Sequence, residues 1–505
     1  METIVELIGR GADDAPAIGA IDRPPLTYAG LRGQVDATIR TLNGVGIGRG
    51  DPVAIVLPNG PAMASAFVSV AAGAVAAPLN PTYRDEEYDF YLGDLDARAL
   101  IAQAGSDSPA RAVAGRRGIP VLELETADDA PAGAFHLIAD LAPGEAARPG
   151  TGEADDVGLV LHTSGTTSRP KIVPLTQRNL TASAGQIRDT LKLSPDDRCL
   201  NIMPLFHIHG LMAAVMASLA AGASVVCTPG FNALRFFTWL EHVQPTWYTA
   251  VPTMHQAILA RAGRNRDIAG RARLRFIRSS SSSLPPQVMR DLEALFDCPV
   301  IESYGMTEAT HQMTSNLLPP GERKPGTVGV AAGPEVGIME DGGRLLGPGE
   351  IGEVVIRGPS VTPGYQNNPD ANAAAFEAGW FRTGDQGVLD DAGYLTITGR
   401  LKEIINRGGE KVAPLEVDNV LSDHPAVAQA LTFGMPHPKL GEEVAAVVVL
   451  RDGQSADEGE LRDFARARLA DFKLPRKIVF VDEIPKGATG KLQRIGLAEK
   501  LGLIP

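Results

Sequence analysis

Cysteine is scarce in this 505-residue chain: Cys199, Cys227 and Cys298 are the only three, they lie far apart, and they form no CxxC pair. A disulfide scaffold and a zinc–thiolate site are therefore poor fits, and a reducing, cytoplasmic setting is expected. A surplus of positive charge is missing as well. Lys and Arg number 47 against 60 Asp and Glu, a formal charge of −13. Phosphate neutralisation needs a basic face, so a chain this acidic is a poor candidate for nucleic-acid binding and no nucleic-acid partner is expected. Met1-Glu2-Thr3-Ile4-Val5-Glu6 has neither the basic region nor the apolar core of a signal peptide. Residues 199–234 contain no Asp, Glu, Lys or Arg, but the stretch is interrupted by Gly210 and Gly222. A membrane span needs about 20 continuous apolar residues, so 211–227 reads as a buried helix running into a buried strand. No membrane partner is expected. Internal repeats are absent, and the one biased segment is the serine run 279–283.

The length predicts about three folding units at roughly 150 residues each. Hydrophobic residues at 44% and charged residues at 21% are a globular composition. Short apolar runs at 53–57, 99–102, 159–162, 224–226, 247–250, 274–277 and 300–302 read as strands, with helical stretches such as 62–71 between several of them. Strand–helix alternation predicts an α/β fold of parallel sheets covered by helices. After about residue 327 the pattern changes to short strands, 352–358 and 394–399, joined by Gly-, Pro- and Asp-rich turns, which predicts a smaller β unit. A second change falls at Gly399-Arg400. Residues 400–505 carry 16 Lys and Arg and 16 Asp and Glu, so the entire −13 falls on residues 1–399. The tail has its own helices (415–421, 458–469) and strands (445–450, 478–481), enough for a small α+β domain. The expected division is 1–399 and 400–505. A neutral, lysine-bearing tail beside an acidic body can close over a polyanion without repelling it.

Five segments carry chemistry. Leu161-His162-Thr163-Ser164-Gly165-Thr166-Thr167-Ser168-Arg169-Pro170-Lys171 runs from an apolar strand into a hydroxyl-dense loop that ends in a lysine. Its backbone N–H groups and hydroxyls offer donors to phosphate oxygens, and Lys171 supplies a point charge. The GxxxxGK[ST] pattern of a Walker A loop is absent. Tyr304-Gly305-Met306-Thr307-Glu308 puts an aromatic beside a glycine and a carboxylate, suited to stacking a base and holding Mg2+ through oxygen. Thr383-Gly384-Asp385 offers an aspartate that can accept from ribose hydroxyls or simply cap a turn. Arg400, Lys402 and the pair Gly408-Gly409 follow at the junction. Near the end, Pro485-Lys486-Gly487-Ala488-Thr489-Gly490-Lys491 sets a lysine just after a flexible loop.

In this order and spacing, those segments resemble the acyl-adenylate-forming superfamily, the acyl-CoA synthetases, luciferases and adenylation domains. The similarity runs from Leu26-Thr27-Tyr28 to Lys491-Leu492-Gln493-Arg494. The resemblance implies that residues 163–171 wrap the triphosphate of ATP, with Thr163, Ser164, Gly165, Thr166, Thr167 and Lys171 in contact. It implies that Thr163 and Glu308 hold Mg2+, that Tyr304, with Gly305 and Thr307, binds the adenine side, and that Asp385 and Arg400 bind the ribose. Lys491 is implied to bridge the acid carboxylate and the α-phosphate, Lys402 to be the hinge of a mobile C-terminal lid, and Gly408 and Gly409 to line the coenzyme A tunnel. The implied reaction is two-step: acid plus ATP gives acyl-AMP, then coenzyme A displaces AMP.

Within the superfamily the chain resembles the oxalyl-CoA synthetases, through residues 162–171, Thr246-Trp247-Tyr248-Thr249-Ala250-Val251-Pro252-Thr253, Arg275-Phe276-Ile277-Arg278-Ser279 and Glu308-Ala309-Thr310-His311. A fatty-acid tunnel wants apolar, small residues. Here His207, Ser280, Ser282 and His311 offer donors at the expected acyl end, suited to a second carboxylate. His207-Ile208-His209 reads as a strand end, and a metal pair at His207 and His209 lacks a third ligand. One departure stands out: the family usually has glycine after the loop lysine, and this chain has Ile172. Either the backbone there is extended and accepts a β-branched side chain, or adenylation is impaired. The alternatives to an oxalate ligase are a short- or medium-chain fatty acid:CoA ligase, a non-catalytic nucleotide-binding protein on the same fold, and a carrier-loading adenylation domain, ranked last because no carrier-like segment follows Pro505.

Overall fold

The computed structural model describes residues 2–163, 170–486 and 492–503. Two large sheets share one apolar core. The seven-stranded sheet has the spatial order His136–Ile138, Val121–Glu125, Ala99–Gln103, Pro52–Val56, Val75–Pro78, Val157–Thr163 and Lys171–Thr176. Its five inner strands are parallel and its two outer strands antiparallel. The nine-stranded sheet has the order Val330–Ala331, His311–Ser315, Val300–Met306, Phe276–Ser279, Trp247–Ala250, Arg198–Asn201, Ser224–Cys227, Pro16–Gly19 and Leu26–Thr27. Strands such as Ser224–Cys227 and Trp247–Ala250 are buried along their whole length because both faces are covered, as parallel sheets require.

Between the sheets runs the helix Pro61–Ala71, in which every residue from Met63 to Ala71 is buried. Its side chains share a core with Ile55 and Leu159 of one sheet and Val225 and Trp247 of the other. A helix that is apolar all round has no solvent face to offer, so it belongs in a middle layer. The charge-free stretch behaves likewise: the π-helix His209–Met216, the helix Ala217–Ala220 and the strand Ser224–Cys227 are all buried. Among the described residues no helix is long and apolar enough to cross a membrane. The expected strand end at His207-Ile208-His209 is corrected: the strand Arg198–Asn201 stops earlier and His209 opens the π-helix.

The small β unit is a five-stranded sheet of Glu335–Met339, Gly352–Arg357, Phe376–Glu377, Trp380–Leu389 and Leu395–Arg400. A short 3-10 turn, Leu401–Glu403, leads into a last sheet of Ile405–Arg407, Glu410–Val412, Val427–His437, Gly441–Leu450 and Lys477–Phe480. That sheet fills cores drawn only from residues 405 onward, such as Val417, Leu421, Val444 and Leu461. It touches the body where Gln429 Nε2 donates to Gln256 Oε1 (2.8 Å). The segment that follows Lys491 is pinned by Arg494, which pairs with Asp418 (2.5 Å) and Glu403 (3.2 Å) and donates to the Thr432 carbonyl (2.8 Å).

Candidate active site

Thr163 closes one antiparallel strand and Lys171 opens the next, and the two are direct partners across the pair. Ser164, Gly165, Thr166 and Thr167 between them, and Lys491, lie outside the described residues. Lys171 Nζ sits 4.4 Å above the centre of the Tyr365 ring. The Tyr365 hydroxyl in turn donates to Glu308 Oε1 at 2.8 Å. Glu308 lies in the 3-10 turn Thr307–Ala309 and is 6% exposed. Burial raises its carboxyl above the ordinary range, against the opposing pull of its own backbone N–H, Tyr365, Lys171 and Arg400. One segment staples this arrangement: Thr362 N donates to the Glu308 carbonyl (2.7 Å), Thr362 Oγ1 to the Pro174 carbonyl (2.7 Å), and Gln366 N to the Ile172 carbonyl (3.0 Å).

Ile172 itself is extended, opposite His162 in the strand register, and 6% exposed. It packs with Val56, Val75 and Val160. The backbone there is a regular strand, so the first of the two alternatives for this position describes the local geometry.

A second group gathers beside Glu308. Asp385 and Arg400 are register partners on the strands Trp380–Leu389 and Leu395–Arg400. Arg400 Nε donates to Asp385 Oδ1 at 2.9 Å, and the Tyr304 hydroxyl donates to Oδ2 at 2.5 Å. The Asp385 charge holds the Arg400 guanidinium above its usual range; burial, then Asp385, pushes the Tyr304 phenol well up. Gly305 is dictated by a close approach: a Cβ there would lie 1.8 Å from the His311 carbonyl oxygen, at the bulge where the two strands meet. The Arg400 charge also acts on Glu308, which links Tyr304, Asp385 and Arg400 to Lys171, Tyr365 and Glu308, with Thr307 adjacent to Glu308 in its 3-10 turn.

The third group lies behind it. His209 is fully buried; its Nε2 meets Thr249 Oγ1 at 2.6 Å and its Nδ1 meets Ser281 Oγ at 3.0 Å. Its ring stacks on His311 with centroids 4.8 Å apart. Arg278 Nη1 lies 3.2 Å from His311 Nε2. His207 is half-buried next to it, its Nδ1 accepting from the His209 backbone N–H at 3.3 Å. The serine loop is placed differently from expectation. Ser280 is buried with its hydroxyl donated to the Ser303 carbonyl (2.9 Å), Ser282 is exposed, and the serine that reaches the imidazoles is Ser281, held at φ +76°. The sequence suggested no site role for Ser281, Arg278 or Tyr365, and offered His209 only as an incomplete metal pair with His207. The charged Arg278 directly after the strand expected at 274–277 was the one available signal.

Gly408 and Gly409 form the two-residue turn between Ile405–Arg407 and Glu410–Val412, with φ +61° and +96°. A two-residue hairpin with both central residues at positive φ selects glycine on local grounds. Lys402 is exposed in the 3-10 turn between the small β unit and the last sheet. A Mg2+ ion needs oxygen ligands and usually takes only one or two from protein, the rest from phosphates and water. The buried Glu308 carboxylate fits that need, with Thr163 across from Lys171 as a second oxygen. Among the described residues no group of three or more His, Cys, Asp or Glu could hold a metal by itself.

Residues 9–366 match the AMP-binding enzyme family and residues 416–491 match the AMP-binding enzyme C-terminal domain. The chain is 43% identical over 500 residues to an oxalate–CoA ligase of Arabidopsis thaliana, covering 97% of this chain and 96% of that one. It is 42% identical over 479 residues to an oxalate–CoA ligase of Saccharomyces cerevisiae, covering 89% and 87%. Its structure superposes on ATP-bound MatB from Rhodopseudomonas palustris with a TM-score of 0.87 at 29% identity, covering 99% of this chain and 98% of that one. The chain belongs to the AMP-binding enzymes, among the acid:CoA ligases of that family.

Proposed function

We propose that the protein is an ATP- and Mg2+-dependent oxalate:CoA ligase that works through an acyl-AMP intermediate, in the cytoplasm. The observation that carries the choice of acid is the polar acid end. Two stacked imidazoles, Ser281, Thr249 and a buried guanidinium make a polar group, which we read as the acid end, whereas a fatty acyl chain would need an apolar channel. An alkyl chain against that polar wall gains no hydrogen bond and leaves the buried guanidinium without a counter-anion, whereas a second carboxylate offers both.

A carboxylate is a poor nucleophile toward a polyanion, so the site must cancel charge and align the reacting atoms. The loop 163–171 wraps the triphosphate, and Lys171 offsets its charge while the Tyr365 ring fixes the ammonium. Glu308 and Thr163 would hold Mg2+, which would supply positive charge for the loss of pyrophosphate. Tyr304 presents its ring to adenine, with Gly305 and Thr307 beside it, and Asp385 accepts from the ribose with Arg400 steadying it. Lys491, carried by the lid, bridges the acid carboxylate and the α-phosphate as the carboxylate oxygen attacks phosphorus and pyrophosphate leaves. Residues 400–505 then turn about Lys402, withdraw Lys491 and bring the Gly408-Gly409 turn to the pantetheine tunnel. The coenzyme A thiolate attacks the acyl carbon and AMP leaves.

The test is coenzyme A consumption with oxalate, malonate, acetate and octanoate under saturating ATP and Mg2+. Oxalate is expected to give the highest kcat/KM. A preference for octanoate or acetate would overturn the assignment of the acid, and no AMP with any acid would favour a non-catalytic binding protein.

A further inference from the structure

Arg278 is the centre residue of a buried strand and is 0% exposed. A guanidinium so placed is always charged in ordinary proteins and is nearly always paired with a carboxylate. Its partners here are all neutral: Thr249 Oγ1 at 3.5 Å, His311 Nε2 at 3.2 Å and Gln312 Oε1 at 3.2 Å. Its Nε has no partner among the described residues. The neighbouring buried carboxylate, Glu302, does not serve it. Arg278 is register partner of Ile301, so Glu302 points to the other face of the sheet, where it accepts from Leu284 N at 2.8 Å. Asp197 is taken by Arg275 at 2.8 Å. Arg494, at 15% side-chain exposure less buried than Arg278, is nevertheless paired with two carboxylates. Arg278 alone among these is left with an uncompensated charge, and burial without an anion lowers its pKa to about 9.

The hydrogen bonds around it fix proton positions. A guanidinium only donates, so His311 Nε2 accepts and the His311 proton sits on Nδ1. Thr249 Oγ1 accepts from Arg278 and lies 2.6 Å from His209 Nε2, while His209 Nδ1 lies 3.0 Å from Ser281 Oγ. His311 is therefore held neutral, as a donor through Nδ1, with a positive charge behind it, and the Thr249 hydroxyl links that charge to His209.

We propose that Arg278 is a specificity-determining positioning residue: acting through His311 and the Thr249–His209 pair, its guanidinium reserves the acid pocket for acids that carry a second anionic group. This rests on the reading that the stacked imidazoles line the acid end. A monocarboxylate spends its single charge at the α-phosphate and leaves Arg278 unmatched. A dicarboxylate or a carboxylate–sulfonate brings the missing anion to the imidazole donors. Selection then arises from the difference between the two cases, not from the shape of the pocket alone.

The test is the ratio of kcat/KM for dianionic acids (oxalate, malonate, sulfoacetate) to that for acetate, in the wild type, Arg278→Gln and Arg278→Lys. In Arg278→Gln the ratio for the preferred dianion is expected to fall on the order of 10²-fold, chiefly through KM for the dianion, with a much smaller loss for acetate. Arg278→Lys should regain part of the ratio. A proportional loss with every acid, tracking a lowered melting temperature, would mean a purely structural arginine and overturns the proposal. If the wild type prefers malonate or sulfoacetate and Arg278→Gln abolishes that preference, the proposal stands and only the choice of oxalate fails. Should Arg278→Gln not fold, the wild-type enzyme decides: the Arg278 15N side-chain resonance should respond to the preferred dianion and not to acetate, and an equal response to both is contradictory.

Discussion

The Tyr365 hydroxyl lies 2.8 Å from Glu308 Oε1, at the end of a chain that begins with Lys171 over the tyrosine ring. Among the described residues the phenol is the side-chain donor to Glu308, whose carboxyl burial raises, so it helps keep Glu308 ionised. Removing it leaves burial less opposed and moves the Glu308 pKa up. Tyr365→Phe should therefore shift the acid limb of the adenylation pH profile to higher pH. At pH 7 it should lower the rate about 10-fold, the scale of a lost hydrogen bond to a charged group. Pyrophosphate exchange as a function of pH measures both; an unmoved acid limb would sink this role.

Ile172 occupies a regular strand position and fills a core with Val56, Val75 and Val160. Glycine there removes a buried side chain and adds backbone freedom to the unfolded chain. Ile172→Gly should cost about 3–5 kcal/mol of stability. It should give no gain in pyrophosphate exchange. A faster exchange would instead show that the isoleucine obstructs the triphosphate loop.

Glu302 is buried at 2% exposure with one backbone donor, and burial pushes its carboxyl up to about 8. The folded state then holds this proton where the unfolded chain has lost it. The contribution is fully present below the unfolded value, near 4.5, and is lost as pH rises through about 8. Glu302→Gln keeps the neutral shape and removes the titration. Its melting temperature relative to wild type should therefore rise between pH 6 and pH 9, which thermal scans at the two pH values would check. A constant difference would contradict a buried, protonated Glu302.

Much of this framework could be read from residue patterns because buried parallel strands are short and uniformly apolar. The strand Trp247–Ala250 and the helix beginning at Pro61 were legible for that reason. The strand expected at 274–277 lies instead at Phe276–Ser279. Arg278 and Ser279 look like loop chemistry, yet they are strand residues whose side chains serve the site. The same conflict hid the acid end. His209 sits in an apolar π-helix, and Ser281 is aimed by a positive φ that no spacing announces. Tyr365 escaped because its partners Lys171 and Glu308 are distant in sequence and meet it only through the Thr362 staple. The cluster of Tyr304, Asp385 and Arg400 was nameable only by resemblance; the strand register that makes Asp385 and Arg400 neighbours lies beyond any local pattern.

Lys491 is assigned to the first half-reaction alone. Lys491→Ala should lower adenylation on the order of 10²–10³-fold, as for loss of one donor to the transition state. Supplied acyl-adenylate should still become thioester at close to the wild-type rate. Equal loss of both half-reactions would contradict a lid that presents Lys491 only for the first.

The most direct measurement is ATP–pyrophosphate exchange in the wild-type enzyme with oxalate and Mg2+ and no coenzyme A. Formation of an acyl-AMP on the enzyme predicts rapid exchange that requires oxalate and is not seen with octanoate. Absence of exchange until coenzyme A is added, or release of ADP in place of AMP, would contradict the account.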